Sequence, residues 1–433
     1  MVRATASRSG GRSGASPRVV IAHDFAETFG GAERILSATA ATFPDAPVWA
    51  FLGRREVLER VGVADRARTL FRENEMLLRR YRLLAPFYPT ITRVRRLPVA
   101  DVLLTSSYAF AHGFRTRNDA PQVCYCLSPL RFAWSMTEVY AEWLDLGRAR
   151  TLAFRLLAAM MRRADRRAAA GVNQYIAESH HVADQIRRAY GREAQVLHPP
   201  VDTERFRPSP DAGHDGYYLF CGRLVEPYKR PGMVLDAFRS LPHRLVVAGD
   251  GPAYRQLKER AGKNVEFVGQ LGDNELLPLM QRCAATIFPS SDDFGLVPLE
   301  TMACGRPVVA FAGGGALETM APGATGVFFH DPTASSLRST LEAFDPDAFD
   351  SDAIRRHAEG WSLDQFQDRL RLIVETVAAT GRERASVHAR GDLEPERDAV
   401  GLGTLQLAPV PKVAQLPASG IALADVVGSE SGA

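Results

Sequence analysis

Short apolar runs recur along the chain, each bounded by turn residues and followed by a stretch with helical spacing. In the first half they fall at 18–24, 47–52, 101–105, 122–127, 173–178 and 195–198. In the second half they fall at 217–222, 244–249, 265–269, 285–289, 307–311 and 326–329. Runs this short and this continuously apolar read as strands covered on both faces. Strands alternating with helices predict parallel, doubly wound sheets, hence an α/β protein in two halves with ligands at the carboxyl ends of the strands.

Residues 199–216 hold four prolines and two glycines without periodicity, which predicts a linker. From 381 the composition shifts to Gly, Ala, Pro, Ser and unpatterned charge, the signature of a disordered tail. The expected organisation is a disordered 1–16, a first domain at 17–200, a linker at 201–216 and a second domain at 217–360. A helix at 361–380 is expected to cross back to the first domain, ahead of a tail at 381–433.

The densest segment chemically is ATIFPSSDDFGLVPLETMACGRPVVAFAGGGALE, Ala285 to Glu318. It reads as strand, acidic loop, helix, glycine stop, strand and triple-glycine loop. Pro298 suits a first helical turn and Gly305 a helix end. Such a unit sets backbone N–H groups and a positive helix terminus beside Asp292 and Glu300, groups suited to a diphosphate and a polyhydroxylated sugar. Asp345-Pro-Asp347 has the spacing of a metal-binding pair but reads as a turn.

Length and composition fit this picture. A chain of 433 residues with 46 % apolar content can bury two cores. Cys124, Cys126, Cys221, Cys283 and Cys304 lack zinc spacing and lie in apolar runs, as buried thiols in a reducing compartment do. The first residues lack the apolar core of a secretory signal, and the longest apolar stretch is broken by Arg155. The expectation is a cytoplasmic protein.

Charge adds an asymmetry. Residues 1–200 hold 30 Arg and 18 acids, a balance of +12, whereas residues 201–433 hold 23 basic and 32 acidic groups, −9. Two segments, 75–97 and 148–170, interleave Arg with Leu, Phe, Tyr and Met. Mixed basic and apolar faces suit an anionic leaflet, although solvated helix faces give the same pattern. No nucleic-acid recognition motif is present, and nucleic acid is not an expected partner.

The densest segment resembles the signature of glycosyltransferase family 4, retaining enzymes of the GT-B fold. The family pattern is Glu, seven residues, Glu, with Phe-Gly inside and Ala-Cys-Gly-x-Pro-Val-Val after it. Here the spacing runs from Asp292 to Glu300, with Asp where the family usually has Glu. HDFAETFGGAERIL at 23–36 resembles the family's N-terminal glycine loop, and HPPVDTERFRP at 198–208 its interdomain linker. YYLFCGRLVEPYKRPGMVLDAF at 217–238 and LVVAGDGP at 245–252 resemble its diphosphate-binding element and next strand-turn. GGGALET and SPLRFAW (128–134) are similar to the bacterial mannosyltransferase subgroup of surface-polysaccharide synthesis. The resemblance implies two Rossmann-like domains facing a central cleft.

It also implies roles. Arg223 and Lys229 occupy the two diphosphate positions, and the chain's use of only four lysines against 49 arginines adds a small independent hint for Lys229. Glu300 takes the carboxylate that accepts from ribose hydroxyls, and Asp292 the one facing the transferred sugar. Asp293, Phe294 and Gly295 would meet sugar hydroxyls through backbone N–H, and Leu296 and Val297 the phosphates. Leu271 and Asp273 would contact the base, with Asp273 favouring guanine; a plain helix cap is the competing reading. Gly30 and Gly31 would let backbone approach the transferred group. His23 and Asp24 end the first strand, where ligands gather. Leu127, Tyr108 and His112 depart from the subgroup, which commonly has His, His and Lys there.

No side chain is a convincing nucleophile. The resemblance implies that the departing phosphate deprotonates the acceptor, with catalysis by charge stabilisation and positioning. The donor would be a nucleotide-sugar, GDP-mannose on the subgroup resemblance or a UDP-sugar otherwise. The acceptor would be lipid-linked or saccharide, and no metal or other cofactor is expected. A nicotinamide dehydrogenase would need a glycine spacing that GGAERI lacks. An epimerase of similar fold and a non-catalytic membrane scaffold remain as alternatives.

Overall fold

The structure, a computed structural model, describes residues 16–143, 147–211, 213–226 and 228–390. Among the described residues, nine strands precede the 199–216 segment: β1 (Val19–Ala26), β2 (Val48–Gly53), β3 (Ala67–Thr69), β4 (Arg96–Leu97), β5 (Val102–Ser107), β6 (Arg115–Thr116), β7 (Gln122–Cys126), β8 (Gln174–Ala177) and β9 (Ala194–Val196). Seven form one sheet in the order β3-β2-β1-β5-β7-β8-β9, and β4 pairs with β6. β3, β4 and β6 have no counterpart among the apolar runs. They span two or three residues, too few for alternation to register.

Six further strands follow among the described residues: β10 (Tyr217–Cys221), β11 (Arg244–Ala248), β12 (Val265–Gly269), β13 (Ala285–Phe288), β14 (Val308–Phe311) and β15 (Gly326–Phe329). Their order is β12-β11-β10-β13-β14-β15, and every neighbouring pair is parallel. Successive side chains of a strand point to opposite faces, and both faces here are covered. Tyr217, Leu219, Val246, Ala248, Val308 and Ala310 enter one buried cluster. Tyr218, Phe220, Leu245, Val247, Ile287 and Val309 enter another.

By contact density the chain divides into two units. One takes the described residues up to Tyr125, Arg163–Tyr175 and those from Asp368; the other takes Cys126–Arg162 and Ile176–Gln367 among the described residues. The 199–216 segment has no helix or strand but is tied into the second unit. Val201 and Phe206 are buried in its core, and Arg355 donates to the carbonyls of Thr203 (2.8 Å) and Phe206. The last helix, Leu363–Arg390, continues past 381, where composition marks the start of a tail. Ala, Arg and Glu in GRERASVHAR are adequate helix formers. Residues 1–15 and 391–433 lie outside the described residues.

In the first unit, two buried ionic arrangements shape the loops after β1 and β5. Asp24 is fully buried and accepts N–H from Tyr108 (2.7 Å), Ala109 (2.8 Å), Phe110 (2.6 Å) and Ala111 (2.7 Å). The Ser107 hydroxyl donates to it as well, at 3.2 Å. This carboxylate is an organiser of the 107–111 turn, which corrects its reading as a ligand-facing residue. His112 Nε2 lies 3.1 Å from Asp165 Oδ1, both side chains almost wholly buried. Arg115 donates to the carbonyls of His112, Phe114 and Ala168 and to Gln122.

Burial alone would push the His112 imidazolium down, but Asp165 overcomes it and raises the group from 6.5 to about 9. A raised cationic pKa contributes stability that is complete below the ordinary value and lost as pH rises through about 9. His112→Gln should therefore unfold about 3–5 kcal/mol more easily near neutral pH, the cost of breaking a buried pair. Urea midpoints for the two proteins should converge towards about pH 9.5. A gap that stays constant across that range would mean the pair is not charged.

Candidate functional site

In open parallel sheets the ligand crevice lies where strand order reverses. In the six-stranded sheet that point falls between β10 and β13, which pair directly while their next strands run to opposite sides. The loops leaving these two strands carry Arg223 and the acidic run 290–295. Topology thus places together the two groups of residues singled out from sequence.

After β10 the chain turns at Gly222 (φ +149°) and is stitched to the loop after β11. Gly222 N–H donates to the Ala248 carbonyl (3.0 Å) and Leu224 N–H to that of Asp250 (2.9 Å). A Cβ on Gly249 would overlap the Gly222 carbonyl oxygen, and one on Gly251 that of Leu224. The turn leaves Arg223 exposed. Lys229 pairs with Asp292, the two side chains 23 % and 17 % exposed. Next to it, Arg230 donates to the Pro289 carbonyl (2.8 Å) and lies over the Phe311 ring.

The acidic loop is held from several sides. Asp293 is buried and ion-paired with Arg131, whose side chain is nevertheless 44 % exposed. Gln185 donates to Asp293 Oδ1 (2.7 Å), and the Ser179 hydroxyl to its backbone carbonyl (2.6 Å). Phe294 stacks on the His198 ring at 5.5 Å. The triple glycine closes the other side. Gly315 N–H donates to the Asp292 carbonyl (2.9 Å), and a Cβ on Gly314 or Gly315 would overlap the backbone of Asp292 or Phe294. Gly295 caps the helix Leu296–Ala303 at φ +87°, where a side chain would meet the Phe288 ring. The leading N–H groups of Leu296 and Val297 have no acceptor within their own helix. Glu300 is buried on that helix.

Around this loop lie acids that sequence reasoning did not single out. Glu178, just after β8, is buried; desolvation raises its pKa well above the ordinary range, and Asp293 adds to the shift against the opposing pull of Arg131. Glu318, from the helix Ala316–Thr319, accepts N–H from His180 (2.8 Å) and His181 (3.0 Å) and contacts His198 Nε2 at 3.1 Å. Burial pushes Glu318 up, but these hydrogen bonds outweigh it and hold the group ionised below its usual range. Arg131 and Glu318 sit inside the quoted motifs SPLRFAW and GGGALET, the only sequence signal for them.

Of the remaining expected contacts, Leu271 is partly buried against the core beneath β10 and β11. Asp273 opens the helix Asp273–Arg282, and its side chain lies outside the described residues. Gly272 holds the cap position instead, its N–H donating to Glu275 (2.9 Å). Asp345 accepts from Asp347 N–H (3.0 Å) in a short turn. In the first unit Gly30 caps the helix Gly31–Thr42, and its N–H donates to Glu33 Oε2 at 2.9 Å. His23 is fully buried beside Glu33, with Nε2 4.0 Å from Oε1. Ser107, His112 and Asp165 form a Ser–His–Asp file, but the serine is buried and donates to Asp24, so it presents no nucleophile.

Parts of the chain are similar to known proteins. Residues 215–343 match the family model "Glycosyl transferases group 1". D-inositol 3-phosphate glycosyltransferase 1 of Catenulispora acidiphila is 30 % identical over 253 residues, 50 % of this chain and 60 % of the relative. A GDP-mannose-dependent alpha-(1-6)-phosphatidylinositol monomannoside mannosyltransferase of Mycolicibacterium smegmatis is 28 % identical over 240 residues, 48 % of this chain and 62 % of the relative. The chain thus spans about three-fifths of these relatives' length. The Anabaena protein HepE, solved in complex with UDP, superposes with a TM-score of 0.62 at 19 % identity, over 83 % of this chain and 100 % of that one. Residues 215–343 are thus similar to group 1 glycosyl transferases, and the α/β fold is of the GT-B class.

Proposed function

We propose that this protein is a retaining glycosyltransferase that moves a hexose, mannose from GDP-mannose, onto a lipid-linked or polysaccharide acceptor in cell-envelope or exopolysaccharide synthesis. The observation that supports the reading is that the loops leaving β10 and β13, at the switch point of a sheet within the matched residues, carry Arg223, the Lys229–Asp292 pair and the N–H-rich start of the Glu300 helix. GDP-mannose is supported by the name of the mycolicibacterial relative. A UDP-sugar is the second reading, favoured by the UDP bound to the Anabaena neighbour.

In this mechanism the protein supplies charge and position. Arg223 and Lys229 stabilise the leaving diphosphate, assisted by the amides of Leu296 and Val297. An ammonium has three donors, so Lys229 can hold Asp292 and a phosphate oxygen together. Glu300 accepts from the ribose hydroxyls, and Asp292 orients the transferred sugar. Leu271 and Asp273 contact the base, and backbone N–H groups of Asp293, Phe294 and Gly295 meet sugar hydroxyls. Gly30 and Gly31 give the transferred group close approach to backbone. The departing phosphate takes the acceptor proton, and no metal or other cofactor takes part.

The acceptor side of the proposal includes an anionic membrane at the cytoplasmic face. Within residues 75–97, Met76, Leu83, Phe87 and Val94 are each more than half exposed among Arg80, Arg93 and Arg95. On the helix Gly147–Ala169, Leu152, Leu156 and Met160 are likewise exposed, among Arg148, Arg163 and Arg167. Among the described residues no helix is long and apolar enough to cross a membrane.

Two measurements test this reading. Thermal-shift titration should show stabilisation by GDP exceeding that by UDP, and Arg223→Ala and Lys229→Ala should each weaken nucleotide binding by about 1.5–3 kcal/mol. Unchanged affinity in both variants would remove the site assignment, and preference for UDP would move the donor to the second reading. Sedimentation should show binding to anionic but not neutral vesicles, lost as salt rises. Arg80→Gln, Arg93→Gln and Arg95→Gln together should weaken it by about 1 kcal/mol per charge. Equal pelleting with both vesicle types would leave these segments as solvated helix faces.

A further inference from the structure

We propose that Arg131 is a positioning residue for transfer, acting through Asp293 to fix the backbone of residues 292–296. The proposal rests on the transferase reading above. The two residues stand 162 positions apart, yet their ion pair is the charged contact on the second acid of the loop. A buried carboxylate is costly to retain unless its charge is matched. Here Arg131 matches it, Gln185 donates at 2.7 Å to the oxygen Oδ1, and His181 Nε2 lies 3.8 Å from the same oxygen. Both carboxylate oxygens of Asp293 thereby have partners, while its backbone carbonyl is tied by Ser179.

The neighbouring residues are each held by a different element. Asp292 is bound by Lys229, Phe294 by the His198 ring, and the carbonyl of Asp292 by Gly315 N–H. Beyond them come the left-handed Gly295 and the leading N–H groups of the helix Leu296–Ala303. Groups of that kind accelerate a reaction only when they are aimed before the charge develops. Of the contacts on Asp293, the guanidinium is the one that matches its charge at hydrogen-bond distance, and its removal leaves a buried anion beside Asp292 and Glu178. The loop would then relax to hydrate that anion, moving the donor-facing amides. Because 44 % of the Arg131 side chain is exposed, its replacement does not open a core cavity.

The test compares wild type with Arg131→Gln, Arg131→Lys, Asp293→Asn and the double variant Arg131→Gln/Asp293→Asn, all in the full chain. Hydrogen exchange at the Phe294, Gly295, Leu296 and Val297 amides should accelerate at least about tenfold in Arg131→Gln, with the strands of the six-stranded sheet unchanged. The turnover number should fall about 100-fold, the scale of a misplacement of about 1 Å, with a smaller loss, about tenfold or less, in affinity for GDP and UDP. Arg131→Lys should recover part of the loss, and the double variant should be no worse than the poorer single one. Unchanged exchange at those amides, or wild-type turnover in Arg131→Gln, overturns the proposal and leaves the transferase reading standing. A wild-type chain that neither binds GDP or UDP nor transfers sugar overturns the transferase reading, and this proposal with it.

Discussion

The second unit depends on one contact between two stretches of backbone. The triple-glycine loop lies flush against the acidic loop, so that no side chain fits at Gly314 or Gly315 without overlapping Asp292 or Phe294. This approach lets Gly315 N–H satisfy the Asp292 carbonyl. It also sets the next turn, from which Glu318 reaches the start of the helix His180–Tyr190 and the His198 ring. One run of three glycines thus fixes the acidic loop on one side and, through Glu318, a helix on the other.

The charges around that contact obey the cost of desolvation. Asp292, Asp293, Glu178 and Glu318 lie in one neighbourhood, and each accommodates burial differently. Two are matched by Lys229 and Arg131, one accepts three nitrogen contacts, and Glu178 is shifted towards its neutral form. Much of the negative charge of this neighbourhood is thereby offset, as the diphosphate of the proposed donor would require.

Most strands of the two larger sheets were legible because parallel strands covered on both faces are nearly pure apolar runs, as YYLF and VVAF show. The order of those strands was legible only as a class, and β3, β4 and β6 were too short to read. Within the candidate site, local motifs marked the loops after β10 and β13, whose Lys229 and Asp292 pair. Long-range partners were illegible: nothing about Ser179, Gln185 or Arg131 in isolation tells that they converge on Asp293 from more than a hundred positions away. Asp24 shows the same limit from the other direction. A carboxylate after a first strand looks ligand-facing, but four backbone amides and a serine hydroxyl already fill its accepting positions.

The stitch between the loops after β10 and β11 bears on how such a protein can change over generations. Gly249 sits at φ +141° with the Gly222 carbonyl where its side chain would be, and Gly251 is confined in the same way by Leu224. A single codon change at either glycine meets main chain, which cannot swing aside as a side chain would. Lengthening or reshaping the Arg223 loop is therefore open to descent only when the loop after β11 changes with it. The two loops form one heritable unit, although 26 residues of sequence separate Gly222 from Gly249.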